Sequence, residues 1–357
     1  MSLPPVEIPL GAMRFSSDSQ KLEFWNGYVW RQVDTHSPNL GDGALTPNAT
    51  GGPGGGGGRG IYGSAYAGAS NDTIGYINLA SDGDSIDFGN LSQGRSFCGC
   101  AGNKIRAVWA GGGTPTKVST IDYVNIATTG NATGWGASLD YSPSEADGLG
   151  NDLRGLFFGG YVGGGNPAGY SNIVNMVQFA TTGTKTDFGD LISGKASQGQ
   201  SGCSDSIRGF VVGGQYPAIN TNTISFVNIA NQGNFVDWGD IHGPSHNGFP
   251  THSNSTRAVF GGTETGGVVE KMEFASKGNS VDFGSLAATM NMSAGMCSPT
   301  RGVWAGATAP APSTTNMEFI NLQSGGGSTT FGNLAAAMAG GKGTSNAHGG
   351  IANGGQV

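Results

Sequence analysis

The chain has 357 residues, of which 67 are glycine and only 11% are charged, so we expect many tight turns in a folded protein. A formal net charge of -7 at pH 7 offers no basic surface to neutralise phosphates, which argues against a nucleic-acid partner. The sequence has neither an apolar run of about 20 residues nor the basic start of a signal peptide, so we predict no membrane insertion and synthesis in a cytoplasm.

The first segment, residues 1–33, predicts a small β-meander. The letters RF indicate a first strand, SSDSQ a polar turn and KLEFW a second strand. The pair Asn26-Gly27 is typical of a two-residue hairpin turn, and YVWRQV then predicts a third strand.

Four aromatic residues lie close together in this meander. They are Phe24, Trp25, Tyr28 and Trp30. So short a sheet cannot cover all of these rings, so we expect them to face a partner surface, which is either another part of the chain or another subunit. We therefore interpret the four residues as a possible attachment surface.

Residues 34–58 predict a glycine-rich linker that ends in the run GGPGGGGG. This run is not a phosphate-binding loop, because it lacks the lysine and the hydroxyl residue that would contact phosphates and a metal ion.

From residue 59 onward the sequence repeats. Each repeat begins with an arginine, a short apolar run and a glycine turn, and these arginines are Arg59, Arg106, Arg154, Arg208, Arg257 and Arg301. They are 47, 48, 54, 49 and 44 residues apart, a period that suits a propeller blade of four short strands. We predict an all-β fold with a β-propeller over residues 59–357. Each arginine is expected to satisfy carbonyl groups or an acidic neighbour near a turn; the alternative is a polar ring used in binding.

An aromatic residue followed by glycine occurs late in each repeat. These aromatic residues are Phe88, Trp135, Phe188, Trp238, Phe283 and Phe331. One ring per repeat predicts packing between adjacent blades, where a buried ring contributes about 1.5 to 3 kcal/mol. A ligand cage would instead require the rings to converge. The glycine that follows predicts a positive φ, a close strand approach or a β-bulge.

The order of apolar strand, paired glycines and later aromatic residue resembles the kelch repeat, whose copies form propeller blades. The resemblance covers residues 59–347, although the tyrosine usual in the kelch pattern is kept only at Tyr76 and Tyr123. It implies a kelch-like propeller.

The end of the chain, residues 341–355, looks like the start of a further repeat, with His348 in place of the arginine. Propellers avoid exposed strand edges by completing the last blade with a strand from the other terminus. The pattern therefore favours seven blades, six full repeats plus one blade closed by both termini. The alternative is a six-bladed ring with the meander as a separate unit.

No catalytic, cofactor or metal site is predicted, and we expect no enzyme activity. Four cysteines precede repeat arginines and are interpreted as small buried residues on inner strands: Cys98, Cys100, Cys203 and Cys297. His242, His246 and His252 are close in sequence, but prolines and a glycine make this segment a loop that fixes no shared face for a metal ion.

The meander GAMRFSSDSQKLEFWNGYVWRQV resembles a segment of tail-fibre and other structural proteins of tailed bacteriophages. The matching residues are Arg14, Phe15, Lys21, Leu22, Glu23, Asn26, Gly27 and Trp30. Repeat segments such as IATTGNAT and DFGDL also resemble those of phage structural proteins.

These resemblances imply a non-catalytic virion protein, assembled in the host cytoplasm, that is a tail fibre or tail appendage with an adhesion or receptor-binding role. The alternatives are a decoration protein of the capsid or tail and, with less support, a glycan-active enzyme. The implied partners are other virion proteins, a host surface glycan or protein, and further copies of the chain.

Overall fold

The computed structural model describes residues 58–163, 169–198, 200–215, 219–242, 248–263, 267–308 and 313–351, together with residues 9, 12–16, 21–25, 28 and 30–32. These residues form an all-β structure, as predicted. Across them we find no helix with the length and apolar character needed to cross a membrane.

Six antiparallel sheets form the blades of a β-propeller. The strands of each blade are given from the inside outward. Blade 1 has β30 (Lys342–Ser345), β4 (Arg59–Gly63), β5 (Thr73–Asn78) and β6 (Ile86–Asn90), blade 2 has β7 (Gly99–Gly102), β8 (Arg106–Ala110), β11 (Thr120–Asn125) and β12 (Thr133–Ser138), and blade 3 has β13 (Asp147–Gly150), β14 (Arg154–Phe158), β15 (Ile173–Gln178) and β16 (Thr186–Asp190). Blade 4 has β17 (Gly202–Ser204), β18 (Arg208–Val212), β19 (Thr223–Asn228) and β20 (Val236–Asp240), blade 5 has β21 (Thr251–Ser253), β22 (Arg257–Gly261), β23 (Val268–Glu273) and β24 (Val281–Ser285), and blade 6 has β25 (Ala294–Cys297), β26 (Arg301–Ala307), β27 (Thr314–Asn321) and β29 (Thr329–Met338).

Two short additions extend this pattern. The strands β9 (Gly113–Thr114) and β10 (Thr116–Lys117) form a small hairpin in the connection between β8 and β11. The strand β28 (Gly326–Gly327) adds a parallel strand to the outer edge of blade 5.

The innermost strands surround a common axis, because each of them contacts the innermost strands of both neighbouring blades. At one end of the axis, tight turns such as residues 103–105 join the first and second strands of a blade, and we call this end the turn face. At the other end lie the connections between second and third strands, such as 111–119, and those between blades, such as 139–146. We call this end the hairpin face.

The ring closes with six blades, so the prediction of a seventh blade is wrong. The C-terminal strand β30 pairs antiparallel with β4, with Lys342 opposite Gly63 and Ser345 opposite Gly60. Each sequence repeat begins at the second strand of a blade, which leaves the first repeat without an inner strand. The segment that resembles the start of a further repeat fills this vacant position in blade 1.

One hydrogen bond marks this closure as equivalent to an ordinary hairpin. The Asn346 side-chain oxygen accepts a bond of 2.7 Å from the backbone N–H of Arg59, although the two residues are at opposite ends of the ring sequence. In the continuous turns of the other blades, the arginine N–H donates the same bond to a side-chain oxygen three residues earlier, and the acceptors are Asn103, Asn151, Asp205, Asn254 and Ser298. Blade 1 therefore has the same inner corner as its neighbours.

The N-terminal segment forms a separate antiparallel sheet of β1 (Met13–Ser16), β2 (Lys21–Trp25) and β3 (Trp30–Gln32). This is the meander predicted from the sequence, and it completes no blade. The predicted linker over 34–58 lies outside the described residues except for Gly58.

The core of the ring is divided into apolar clusters, and each cluster lies between two adjacent blades. Buried β-branched and aromatic residues of the second and third strands face these clusters. Successive residues of a strand, such as Val108 and Trp109, face the clusters on opposite sides of the blade. The blades are thus held together by buried side chains around the whole circle.

Candidate functional site

The aromatic residues predicted as repeat markers lie in these interblade clusters. Phe88 of blade 1, for example, packs with Trp109 and Ile126 of blade 2. The ring of Trp135 is buried, and its Nε1 donates a hydrogen bond of 3.0 Å to the Thr184 carbonyl of blade 3. Phe283 is half-buried, whereas the other five rings are buried. The rings are spread around the circle and do not converge on a common ligand position.

The glycine after the ring allows the next blade to approach. Gly89 has φ of 148° and lies against the carbonyl of Gly130, so that any Cβ at this position would clash with the neighbouring blade. The Gly130 N–H donates a bond of 2.7 Å to the Phe88 carbonyl across the same contact.

The repeat arginines link neighbouring blades. Each guanidinium donates to a main-chain carbonyl directly after the third strand of the next blade, and the pairs are Arg59 to Ile126, Arg106 to Phe179, Arg154 to Ile229, Arg208 to Phe274, Arg257 to Leu322, and Arg301 to Leu79. All of these groups lie at the turn face and point toward different blades. The arginine side chains therefore link each blade to the next around the circle.

We call residues 1–33 the leader. Three of its aromatic residues, Phe24, Trp25 and Trp30, lie on strands of the separate β1–β3 sheet, and Tyr28 lies between β2 and β3. The rings of Trp25 and Trp30 lie 5.6 Å apart, and the Arg14 guanidinium lies 4.2 Å from the Trp30 ring centre. Tyr28 is 87% exposed, and Phe24 is exposed on the face of the sheet opposite to Trp25 and Trp30. Their use for attachment stays a prediction.

The four cysteines are buried free thiols on or beside the inner strands of blades 2, 4 and 6, so the burial predicted for them is confirmed. Burial raises the pKa of each thiol, to about 11 for Cys297, so all remain protonated near neutral pH. Cys297 Sγ donates to the Ser253 carbonyl at 3.3 Å, as the hydroxyl of Ser253 does to Ser204 at 2.9 Å. These two hydrogen bonds link the inner strands of blades 4, 5 and 6.

The clustered histidines have separate surroundings. His242 is exposed near Glu270 and Asp282 of blade 5, and its Nδ1 lies 4.0 Å from the Asp282 carboxylate. His252 is fully buried on β21, where its Nε2 lies 2.9 Å from the Val303 carbonyl and its ring lies 4.0 Å from that of Trp304. His246 lies outside the described residues.

The burial of His252 predicts a loss of stability in acid. Burial lowers the pKa of this imidazole to about 4, against about 6.5 in an unfolded chain. Above pH 6.5 the ring is neutral in both the folded and the unfolded state. As the pH falls toward 4, the unfolded chain takes up a proton that the folded chain does not, and the free energy of unfolding falls by about 3 kcal/mol. In His252→Met, the free energy of unfolding should fall by about that much less between pH 7 and pH 4.

Urea unfolding at a series of pH values measures this difference. His242→Met supplies a control for the substitution itself, because it introduces the same side chain at an exposed position and leaves the buried His252 in place. Equal pH slopes for His252→Met and the wild type would contradict the assignment.

A buried ion pair crosses the axis at its hairpin-face end. Lys342 of blade 1 lies 3.8 Å from the Asp147 carboxylate of blade 3, and the side chains are 0% and 2% exposed. Lys342 also donates to the Ser197 carbonyl at 3.2 Å, while Asp147 accepts bonds from Ser201 Oγ and the Gly202 N–H. Burial lowers the pKa of Lys342, and Asp147 opposes this shift. The pair occupies the position where a ligand would enter from this face.

The C-terminal residues after β30 close the axis at the turn face. The His348 Nε2 lies 2.8 Å from the Gly102 carbonyl of blade 2, and the Gly349 N–H donates to the Ser253 carbonyl of blade 5 at 2.9 Å. Between these two closures lies a cavity of about 30 Å³ lined by the inner strands, enough for one or two water molecules.

A different set of side chains meets on the hairpin face above blades 2 to 4. We call it the tyrosine cluster, and it consists of Lys117, Glu145, Tyr161, Tyr170, Gln198 and Gln215. The rings of Tyr161 and Tyr170 lie 5.5 Å apart, and Lys117 Nζ lies 4.6 Å from the centre of the Tyr161 ring. Every member is half-buried or exposed.

The sequence interpretation missed this cluster, although the repeat spacing carried a signal for it. The third repeat is the longest, at 54 residues. Most of the extra length lies between β14 and β15, in the connection that carries both tyrosines. Insertions in a repeat protein concentrate in loops on one face, which is often the binding face.

Two buried cations differ in how they are paired. Arg95, in the connection from blade 1 to blade 2, forms a fully buried ion pair of 3.0 Å with Asp122 on β11. Lys195 has the same position before blade 4, where Ser225 replaces the aspartate, and neither Lys195 Nζ nor Ser225 Oγ has a hydrogen-bond partner among the described residues. Burial lowers the pKa of Lys195 to about 8.

No protein-family model matches this chain, and no curated protein is similar to it. The repeats nevertheless form a six-bladed β-propeller, an arrangement consistent with kelch-like repeats.

Proposed function

We propose that this protein is a non-catalytic structural protein of a tailed-bacteriophage particle, used as a tail fibre or tail appendage that binds the host surface. The leader sheet attaches the chain to other virion proteins, and the propeller carries the binding surface. The proposal for the leader is supported by its resemblance to segments of phage structural proteins and by its exposed aromatic residues.

The closed axis is the observation that carries the non-catalytic part of the proposal. The ion pair of Lys342 and Asp147 fills one end, and His348 and Gly349 close the other. Ligand sites for small molecules have volumes of about 300 to 1,000 Å³, far above the 30 Å³ of the axial cavity. Binding therefore takes place on the outer faces of the ring.

Immunogold labelling of intact particles tests this assignment. Antibodies against the propeller should label the tail, and a chain that lacks residues 1–33 should be absent from purified particles while remaining folded in solution. Label on the capsid alone would identify a decoration protein. Particles that retain the truncated chain in normal amount would overturn attachment through the leader.

A further inference from the structure

We propose that the tyrosine cluster on the hairpin face binds an uncharged glycan. This inference rests on the adhesion role proposed above and names the surface and the ligand class. It is argued from the way in which connections of three neighbouring blades place aromatic, amide and charged side chains side by side.

The aromatic part of the cluster is held in a defined position. The connection that carries Tyr161 and Tyr170 is closed by a backbone bond from the Val162 N–H to the Gly169 carbonyl at 2.7 Å. The Tyr161 N–H donates to the Ser144 carbonyl of the preceding interblade connection, also at 2.7 Å. Gly169 has φ of 79°, and a Cβ there would lie 2.8 Å from the Tyr161 ring. The absence of that Cβ lets the ring lie directly against the backbone.

Polar groups surround the two rings. Gln198 donates to the Glu145 carboxylate at 3.3 Å, and the Tyr170 hydroxyl donates to the Gln215 side-chain oxygen at 3.5 Å. Burial raises the pKa of Tyr170, with further contributions from Glu145 and Tyr161, which agrees with the proximity of the three groups. Rings, amides and a carboxylate thus lie within one continuous surface.

This combination fits a sugar better than it fits a wholly apolar ligand. Tyrosine rings present flat apolar faces with a polar edge, and a pyranose has an apolar face bordered by hydroxyl groups. Amide and carboxylate side chains can both accept hydrogen bonds from those hydroxyls, and the amides can also donate. Binding loops rich in tyrosine and glycine on a rigid scaffold supply contact area at low entropic cost.

The charges favour an uncharged glycan. Within the cluster Lys117 and Glu145 balance each other, and beneath it Lys342 and Asp147 do the same. The whole chain carries a net charge of -7, which repels acidic polysaccharides over distances of about a Debye length.

Binding of the full-length chain to an array of neutral and acidic bacterial surface oligosaccharides tests the proposal. We expect binding to neutral members, weakened about 10-fold or more by Tyr161→Ala and by Tyr170→Ala. Tyr66→Ala is the matched control, because Tyr66 lies on the same face, is exposed and contacts the Phe97 ring, yet belongs to blade 1. That variant should bind as the wild type does.

Several outcomes would overturn the proposal: no binding to any array member, binding to acidic members alone, or equal losses in all three variants. Treatment of host cells separates the ligand classes, since periodate oxidises sugar diols and protease removes proteins. Adsorption abolished by protease and unaffected by periodate would identify a protein partner instead. Because the array uses the isolated chain, its result is independent of where the protein lies on the particle.

Discussion

A chain that ends at Gly341 is expected to form no stable ring. It lacks β30, so β4 loses its inner partner and exposes an unpaired edge to the axis. It also lacks Lys342, so the ion pair with Asp147 is lost and the axis opens to water. The total stability of a typical domain is only about 5 to 15 kcal/mol, so the loss of an inner strand and its contacts with both neighbouring blades is expected to unfold the ring.

Thermal unfolding followed by circular dichroism measures this effect. A chain that ends at Ile351 retains the strand and the closure at the turn face, and should unfold at the wild-type temperature. A chain that ends at Asn346 keeps β30 but lacks His348 and Gly349, so we expect an intermediate transition. A wild-type transition in the chain that ends at Gly341 would show that β30 does not close the ring.

Removal of the Asp122 carboxylate is expected to destabilise the protein by about 3 to 5 kcal/mol in Asp122→Ala. The guanidinium of Arg95 would remain buried, with hydrogen bonds only to the carbonyls of Gly111, Thr120 and Trp109. Those bonds satisfy donors but do not balance the charge. Urea unfolding at pH 7 measures the loss.

Two further variants separate charge from packing. In the double variant Arg95→Met/Asp122→Leu no charge is left buried, so its stability should be near that of the wild type. Lys195 is the natural counterpart without a carboxylate, and Lys195→Met should therefore raise the free energy of unfolding at pH 7. An Asp122→Ala variant as stable as the wild type, or a destabilised Lys195→Met, would contradict this account.

The repeat period identified the propeller because every blade uses the same local chemistry. The arginine at the start of a second strand and the aromatic residue near the end of the repeat recur at regular spacing. Their alternating apolar neighbours predict strands without reference to distant parts of the chain. Each of these features is local, and local features are what a single sequence reports best.

The blade number was missed because it depends on the phase of the repeat. The repeat pattern predicts that the C-terminal segment lies in a seventh blade closed by both termini, whereas this segment supplies the inner strand of blade 1. A local signal existed, since an Asn, Asp or Ser stands three residues before five of the arginines but Gly56 precedes Arg59 at that distance. Asn346, after the last strand, is the missing member of that series.

The tyrosine cluster was beyond the repeat analysis for a different reason. Its members come from separate connections, and each is unremarkable in its own segment. Lys117 and Tyr161 become neighbours only after blades 2 and 3 pack together. Contacts between loops of different blades carry no periodic signal, apart from the greater length of the third repeat.

The corner formed by Asn346 and Arg59 implies that the ring does not depend on where its chain begins. Gly58 lies beside Asn346 at the turn face, and the same bond forms there without a covalent turn. A peptide linker that spans the turn face from residue 351 to residue 58 would leave every blade with its present partners. Circular permutants opened at another turn, such as 103–105, should then adopt the same propeller, with their leader displayed from a different blade.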